Sequence, residues 1–197
     1  IIDHYRPWVR PVEVRSVLDM CTGSGCIAIA SAMVLENAQV IAGDISEEAL
    51  QVTRRNIERH GLKDRVSALQ TDLFSQVPAI EFDLIVANPP YVSANEMRDL
   101  PEEYQQEPGL GLASGQDGLD AALQILLDAP RFLGKDGVLI CEVGASDERL
   151  AQSLPDVPFL WLEFERGGSG VFVLTRQQLI EAGPVVAAIL EKKAYVA

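Results

Sequence analysis

Short apolar runs alternate with segments of helical period along most of the chain. The runs predict strands and the segments between them predict helices. This alternation is typical of an α/β fold in which helices cover both faces of a mostly parallel sheet. The predicted strands are Val14–Met20, Gln39–Asp44, Val66–Gln70, Phe82–Ala87 and Gly137–Val143; the predicted helices are Ser24–Glu36, Ser46 to about His60, Leu119–Phe132 and Ser146–Leu154.

The C-terminal part has a different pattern. Phe159–Glu165 and Gly170–Thr175 are rich in β-forming residues and are separated by Arg166-Gly167-Gly168-Ser169. A glycine-rich connection between two such runs predicts a hairpin, and therefore antiparallel pairing at one edge of the sheet. We expect one domain over residues 1–180, with a seven-stranded sheet, followed by a helical tail over residues 181–197.

The charge composition indicates which kinds of molecule the chain can bind. The chain has 197 residues, with 16 Lys and Arg against 29 Asp and Glu, which gives a formal net charge of −13. Direct binding to nucleic acid is not expected, because that binding needs clustered positive charge.

No apolar run approaches the roughly 20 residues that span a bilayer. The three cysteines predict reduced thiols in a cytoplasmic protein, and their spacing predicts no metal site. Because the chain opens with Ile1 rather than Met, we expect it to be part of a longer protein.

A glycine loop follows the first predicted strand. Gly23, Gly25 and Ala28 fit the pattern GxGxx(G/A) between a strand and a helix. Glycine permits positive φ and a close approach of the backbone to a ligand, and the helix N-terminus presents free N–H groups. Asp44 ends the next strand, where a carboxylate can accept both ribose hydroxyls of an adenosine.

The sequence of this loop is compatible with two kinds of ligand. One is a nicotinamide or flavin dinucleotide with its pyrophosphate at the helix, and the other is S-adenosylmethionine with its aminoacyl end in the loop. Asp19 favours the second ligand, because a carboxylate repels pyrophosphate and pairs with ammonium. Asp72, after the third strand, is placed for an adenine amino group. A tight turn that binds nothing stays open as a third interpretation, since the glycine pattern alone is weakly specific.

Asn88-Pro89-Pro90-Tyr91 ends the fourth predicted strand. The two prolines remove N–H donors and fix φ, which makes a rigid corner where open α/β sheets bind ligands. The Asn88 side-chain oxygen and the Pro89 carbonyl can then both accept from an –NH₂ group, while Tyr91 packs on a planar amide or base. The alternative is a turn stiffened by proline with a core tyrosine.

Together these motifs resemble the Rossmann-like S-adenosylmethionine-dependent methyltransferases that modify planar nitrogens. Leu100–Pro108 and Gly111–Asp120 narrow the resemblance to the protein-(glutamine) methyltransferases. Asp19–Gly23 and Gly167–Phe172 are similar to the branch that acts on large-subunit ribosomal protein three, whereas the release-factor branch typically has glycine at the position of Cys21. The family normally carries a helical N-terminal domain, and the resemblance here starts near that domain's junction with the catalytic one.

The resemblance implies a Rossmann-like class I methyltransferase fold with S-adenosylmethionine as cofactor. It also implies a protein substrate, expected to be a basic ribosomal protein, and a cytoplasmic location. The expected catalytic residues are Asn88, Pro89, Pro90 and Tyr91. The expected cofactor-binding residues are Asp19, Cys21, Thr22, Gly23, Gly25, Asp44, Ile45, Asp72, Leu73 and Asn88.

Other functions share parts of this pattern. A methyltransferase for the adenine amino group of DNA or RNA uses the same Asn-Pro-Pro-Tyr segment to bind the amino group of a base that is flipped out of the helix. A release-factor glutamine methyltransferase, a Rossmann dehydrogenase and a binding module without activity also stay open. Cys21 and Cys26 flank the glycine loop without a neighbouring histidine, so we expect small buried packing residues and not nucleophiles.

Overall fold

A computed structural model describes residues 13–91, 117–164 and 168–196. The strands in these ranges are β1 (Ser16–Met20), β2 (Gln39–Asp44), β3 (Val66–Gln70), β4 (Phe82–Ala87), β5 (Leu133–Glu142), β6 (Leu160–Trp161) and β7 (Val171–Thr175). The helices are α1 (Cys26–Val34), α2 (Glu47–Arg59), α3 (Asp120–Asp128), α4 (Asp147–Ser153) and α5 (Arg176–Val196), with 3₁₀ turns at Ala129–Arg131 and Gly144–Ser146. The strands form one sheet in the order β3-β2-β1-β4-β5-β7-β6, which confirms the predicted seven-stranded α/β fold.

The chain divides into two compact units. The first comprises Ile1–Asn88 with Arg131–Ile140, and the second comprises Pro89–Pro130 with Cys141–Ala197. No helix in the described ranges is both long enough and apolar enough to cross a membrane.

Parallel pairing organises the first unit. β1 pairs in parallel with β2 on one side and with β4 on the other, and β2 pairs in parallel with β3. The central strands β1 and β4 are almost fully buried and mostly apolar, with Asp19 in β1 and Asp83 in β4 as exceptions, as expected for a sheet with covered faces. Their high apolar content explains why the sequence pattern predicted this part of the fold closely.

Helix α2 shows how local sequence positions the loop beside it. Ser46 caps the helix by accepting a hydrogen bond from the Ala49 N–H at 3.2 Å. Leu50, Thr53 and Ile57 lie on one face at helical spacing and are buried. Thr53 is the polar exception on that face, and it contacts the glycine loop.

The second unit contains the predicted antiparallel pair. Leu160 pairs with Val173 and Trp161 with Phe172, so the antiparallel prediction is confirmed. The first strand of the pair is shorter than the predicted Phe159–Glu165 because regular pairing stops after Trp161, while Arg166 and Gly167 of the predicted turn lie outside the described residues. The rings of Phe159, Trp161 and Phe172 pack together with centroids 4.9–5.5 Å apart, which stabilises the short pair.

Helix α5 is a single helix that runs through Pro184 and packs against α3. The Arg176 guanidinium donates to the Pro130 carbonyl at 3.0 Å. Near the other end, Lys193 forms ion pairs with Asp117 and Asp120, each at 2.5 Å. The tail therefore holds the start of α3 at a defined place.

Candidate functional site

The carboxyl ends of four parallel strands lie side by side. Met20 of β1 pairs with Gly43 of β2 and with Ala87 of β4, so the residues that follow them are in register at the same edge of the sheet. These next residues are Cys21, Asp44 and Asn88. Backbone hydrogen bonds continue past the strand ends, from Thr22 N–H to the Gly43 carbonyl (3.0 Å), Thr71 N–H to the Asp44 carbonyl (2.9 Å) and Asn88 N–H to the Met20 carbonyl (3.4 Å).

The glycine loop has the backbone conformation that its motif predicts. Gly23 and Gly25 have φ angles of 58° and 83°, and Cys21 has 59°. A Cβ at Gly23 would meet no atom within 4 Å, so space for a ligand is open there; a Cβ at Gly25 would lie 2.9 Å from the Thr53 methyl. Glycine is therefore needed at position 23 for its conformation, and at position 25 also for close packing.

Helix α2 holds the loop through two side chains that sequence analysis did not single out. The Thr53 hydroxyl donates to the Gly23 carbonyl at 2.8 Å, and the Asn56 amide donates to the Ser24 carbonyl at 2.9 Å. Thr53 is fully buried between Leu50 and Ile57 on the same helix face. A polar residue at a core position of an amphipathic helix is the signal that could have identified it.

Asp44 joins the loop to the start of α2. One carboxylate oxygen accepts from the Gly23 N–H at 2.8 Å, and the other accepts from the Ser46 N–H at 2.9 Å. Each oxygen keeps a second lone pair, so the carboxylate can accept two further hydrogens. The same residue therefore fixes the loop and retains capacity for a ligand diol.

Asp19 is a fully buried carboxylate with one satisfied oxygen. Its Oδ2 accepts from the Thr22 hydroxyl at 2.5 Å and from the Ala28 N–H at 2.8 Å, whereas Oδ1 has no hydrogen-bond partner among the described residues. Burial, opposed by these two hydrogen bonds and assisted by the charge of Asp44, raises the pKa of Asp19 to about 7. A buried polar atom without a partner is costly, and a cationic ligand would satisfy this one.

Cys21 lies among the three predicted carboxylates. Burial, followed by the charges of Asp44, Asp19 and Asp72, raises the pKa of the Cys21 thiol to about 12. The thiol stays protonated near neutral pH, which removes the thiolate that a nucleophile would need.

Cys26 corrects one expectation. The predicted small buried residue is exposed, and its Sγ lies 3.1 Å from the Ser24 hydroxyl. Cys26 is the first residue of α1, and its side of that first turn faces solvent while Ala28 and Ile29 face the core.

Ile45, Asp72 and Leu73 line the ends of β2 and β3. Ile45 is 46% exposed although it is apolar, and Asp72 is exposed. Leu73 has a φ of 44°, held by a hydrogen bond of 2.6 Å from the Thr71 hydroxyl to the Leu73 carbonyl. An apolar residue with positive φ is uncommon, and such strained positions cluster at ligand sites.

Asn88, Pro89, Pro90 and Tyr91 lie where the two compact units adjoin in sequence. Asn88 closes the first stretch of one unit and is half-buried, and the other three residues open the second unit. Tyr91 is half-buried, and its carbonyl accepts from the Ser146 hydroxyl at 3.2 Å. The Leu100–Pro108 motif and residues 111–116 of the Gly111–Asp120 motif lie outside the described residues.

Comparison with known proteins adds independent findings. The family model of the methyltransferase small domain matches residues 9–103. The chain is 47% identical over 182 residues to the ribosomal protein uL3 glutamine methyltransferase of Francisella tularensis subsp. tularensis, covering 92% of this chain and 58% of that protein. It is 49% identical over 179 residues to the protein of the same name from Neisseria gonorrhoeae, covering 90% of this chain and 60% of that protein. The chain thus spans about three fifths of the length of these relatives.

The fold also resembles solved structures. A ribosomal protein L11 methylase from Lactobacillus delbrueckii subsp. bulgaricus superposes with a TM-score of 0.57 at 24% identity, covering 88% of this chain and 72% of that one. At this identity the likeness concerns the fold alone. It agrees with the Rossmann-like expectation and with the strand order described above.

Proposed function

We propose that the chain is a protein-glutamine methyltransferase, which transfers a methyl group from S-adenosylmethionine to the side-chain amide nitrogen of a glutamine in a protein, because it is 47% and 49% identical to two ribosomal protein uL3 glutamine methyltransferases. The substrate we propose is a large-subunit ribosomal protein, because the names of the Francisella and Neisseria relatives specify ribosomal protein uL3. A basic ribosomal protein suits a chain with a net charge of −13. Such a substrate would place the reaction in the cytoplasm.

The observation that carries this proposal is the unpartnered Oδ1 of Asp19. A buried carboxylate oxygen beside the glycine loop would repel a pyrophosphate, so it counts against a dinucleotide. It fits an α-ammonium group, which S-adenosylmethionine has and the dinucleotides lack. The residues present therefore fit the cofactor.

The proposed contacts follow the chemistry of the cofactor's parts. Asp19 would neutralise the ammonium group, Asp44 would accept the ribose hydroxyls, and Asp72 would accept from the adenine amino group. The exposed apolar side chain of Ile45 and the strained Leu73 would border the adenosine. The backbone of Cys21, Thr22, Gly23 and Gly25 would surround the aminoacyl end. When bound, S-adenosylmethionine supplies a methyl group already activated by a sulfonium centre.

The proposed work of the Asn-Pro-Pro-Tyr segment is to orient a poor nucleophile. An amide nitrogen shares its lone pair with its carbonyl group. Asn88 Oδ1 and the Pro89 carbonyl would each accept one amide hydrogen, which holds the nitrogen in line for transfer and stabilises the positive charge that develops on it. Pro90 stiffens the corner, and Tyr91 packs on the amide plane. A general base is not needed before transfer, because the methylated nitrogen sheds its extra proton to water.

Titration calorimetry tests the cofactor half of the proposal. We expect S-adenosylmethionine to bind the wild-type protein and the Asp44→Ala variant to lose this binding, because the substitution removes both the ribose acceptor and the loop's anchor. Asp64→Ala, at an exposed aspartate outside the site, is the matched control and should bind as the wild type does. Binding of reduced nicotinamide dinucleotide, or unchanged S-adenosylmethionine binding in Asp44→Ala, would contradict the proposal.

A further inference from the structure

Two glycines and one serine of the second unit contact Tyr91, and a third glycine packs against one of these glycines. Gly118, Gly144 and Gly170 all have positive φ, at 77°, 48° and 74°. With Ser146 they form a set of contacts that we call the glycine cradle. Its members come from three separate parts of the chain: the residues before α3, the 3₁₀ turn after β5, and the residue before β7.

Gly144 lies directly against one side of the Tyr91 ring, next to Cδ2, Cε2 and Cζ. A Cβ added at Gly144 would lie 2.6 Å from Cε2 and 2.8 Å from Cζ of the ring. Cβ atoms essentially never come so close to another heavy atom, so the ring can keep its place only while residue 144 has no side chain. The positive φ of Gly144 adds a second reason for glycine.

Gly170 packs closely against the main chain of Gly144. A Cβ at Gly170 would lie 2.1 Å from the Gly144 carbonyl oxygen, and the Gly170 carbonyl accepts from the Val143 N–H at 2.7 Å. Backbone atoms therefore meet backbone atoms with no side chain between them. This main-chain contact restricts the movement of Gly144.

The backbone of Tyr91 is fixed as closely as its ring. A Cβ at Gly118 would lie 2.2 Å from the Tyr91 carbonyl oxygen, and the buried Ser146 hydroxyl donates to that same oxygen at 3.2 Å. The residue before Gly118 is anchored in turn, because Arg149 donates to the Asp117 carbonyl and Lys193 pairs with the Asp117 carboxylate. The cradle thus fixes both ends of the tyrosine.

We propose that the glycine cradle is a positioning device that sets the plane of the Tyr91 ring for the acceptor amide, with Gly144 as its main positioning residue. This inference rests on the proposed function, in which Tyr91 packs on the glutamine amide. A planar group is held in line with a methyl group only if the surface beneath it is itself fixed. Closely packed main-chain atoms fix an aromatic plane more tightly than a flexible side chain would.

The test is the methyl-transfer rate of Gly144→Ala. We expect kcat/KM for the protein substrate to fall about 10²-fold, since a displacement of roughly 1 Å at a reacting group can cost that much. The affinity for S-adenosylmethionine should stay as in the wild type. Gly61→Ala is the matched control, because Gly61 also has positive φ, at 68°, but an added Cβ there meets no atom within 4 Å. It should lose some stability and keep its activity.

A double-mutant cycle separates positioning from general damage. In a Tyr91→Ala background the ring that collides with the new Cβ is absent, so adding Gly144→Ala should change kcat/KM by less than about twofold. If the losses of the two single variants multiply, Gly144 does not act through Tyr91 and the inference is wrong. It is equally wrong if folded Gly144→Ala transfers methyl groups as fast as Gly61→Ala does.

A second variant keeps the test decisive if Gly144→Ala does not fold. Ser146→Ala adds no volume and removes only the hydrogen bond to the Tyr91 carbonyl. We expect kcat/KM to fall about fivefold, in line with the loss of one neutral hydrogen bond, and again without further loss in the Tyr91→Ala background. Unchanged kcat/KM in Ser146→Ala would overturn the inference. A wild-type protein that transfers no methyl group would instead contradict the proposed function itself.

Discussion

Replacement of Asn88 by Ala is expected to lower kcat by about 10²–10³-fold, which corresponds to about 2.7–4 kcal/mol of transition-state stabilisation. The Asn88 side chain is proposed to accept a hydrogen from the amide while positive charge grows on the nitrogen. Its backbone N–H donates to the Met20 carbonyl, and alanine keeps that bond. The end of β4 should therefore stay in place while the accepting oxygen is lost.

Steady-state transfer of a labelled methyl group to the protein substrate measures this effect. Binding of S-adenosylmethionine should change much less than kcat, because the three carboxylates proposed to hold it are intact in this variant. Asn37→Ala is the matched control, since Asn37 is exposed in the turn after α1 and should keep full activity. Near wild-type turnover of Asn88→Ala at saturating substrate would show that the proposed role of Asn88 is wrong.

The second large effect is expected from Asp19→Asn. The Asn oxygen can still accept from the Thr22 hydroxyl and the Ala28 N–H, but the charge that would pair with the ammonium group is gone. We expect the Kd for S-adenosylmethionine to rise on the order of 10²-fold or more, as when one partner of a buried charge pair is removed. In the wild type the affinity should increase as the pH rises through about 7, where Asp19 ionises.

The same carboxylate predicts a change of stability with pH. The pKa of Asp19 is about 7 in the folded protein against 3.8 as the ordinary value, so between these pH values the folded state binds more protons than the unfolded state. Stability should therefore fall as the pH rises from about 4 to about 7, by up to about 4 kcal/mol from this group alone. Above about pH 7 the Asp19 carboxyl is ionised in both states, and the loss of stability is complete.

Urea unfolding of the wild type and Asp19→Asn at several pH values isolates this contribution. The difference in the free energy of unfolding between the two proteins should shift in favour of Asp19→Asn as the pH rises to 8. Other titrating groups are common to both proteins and cancel in the difference. Parallel stability curves would mean that Asp19 is not a buried, proton-binding group.

The first unit could be predicted closely because burial on both faces leaves a clear pattern. The bounds of β2, β3 and β4 agree with the apolar runs, and the Ser46 cap with Gly61 after the helix located α2. β5 was harder, because it begins at Leu133 and passes through exposed Lys135 and Asp136, which have the composition of a turn. Two exposed charged residues near the start of a strand interrupt the apolar signal there.

The residues of the site also differ in how far the sequence could predict them. Gly23, Asp44 and Asn88 follow predicted strands directly, so the topology alone places them at one edge of the sheet. Thr53 and Gly144 were missed because their role depends on what packs against them, a loop carbonyl in one case and an aromatic ring in the other. Contacts between residues far apart in sequence are not encoded in local spacing. The unpartnered oxygen of Asp19 likewise needed the three-dimensional structure.

The most direct measurement of the central claim is the chemical position of the transferred methyl group. The protein would be incubated with S-adenosylmethionine and ribosomal protein uL3, with an adenine-containing oligonucleotide in the same reaction, and both acceptors would be analysed by tandem mass spectrometry. The account predicts one added methyl group on the side-chain nitrogen of a glutamine in uL3, formed at least about 10²-fold more slowly with Asn88→Ala. A methyl group on adenine, on another side chain or on neither acceptor would contradict it.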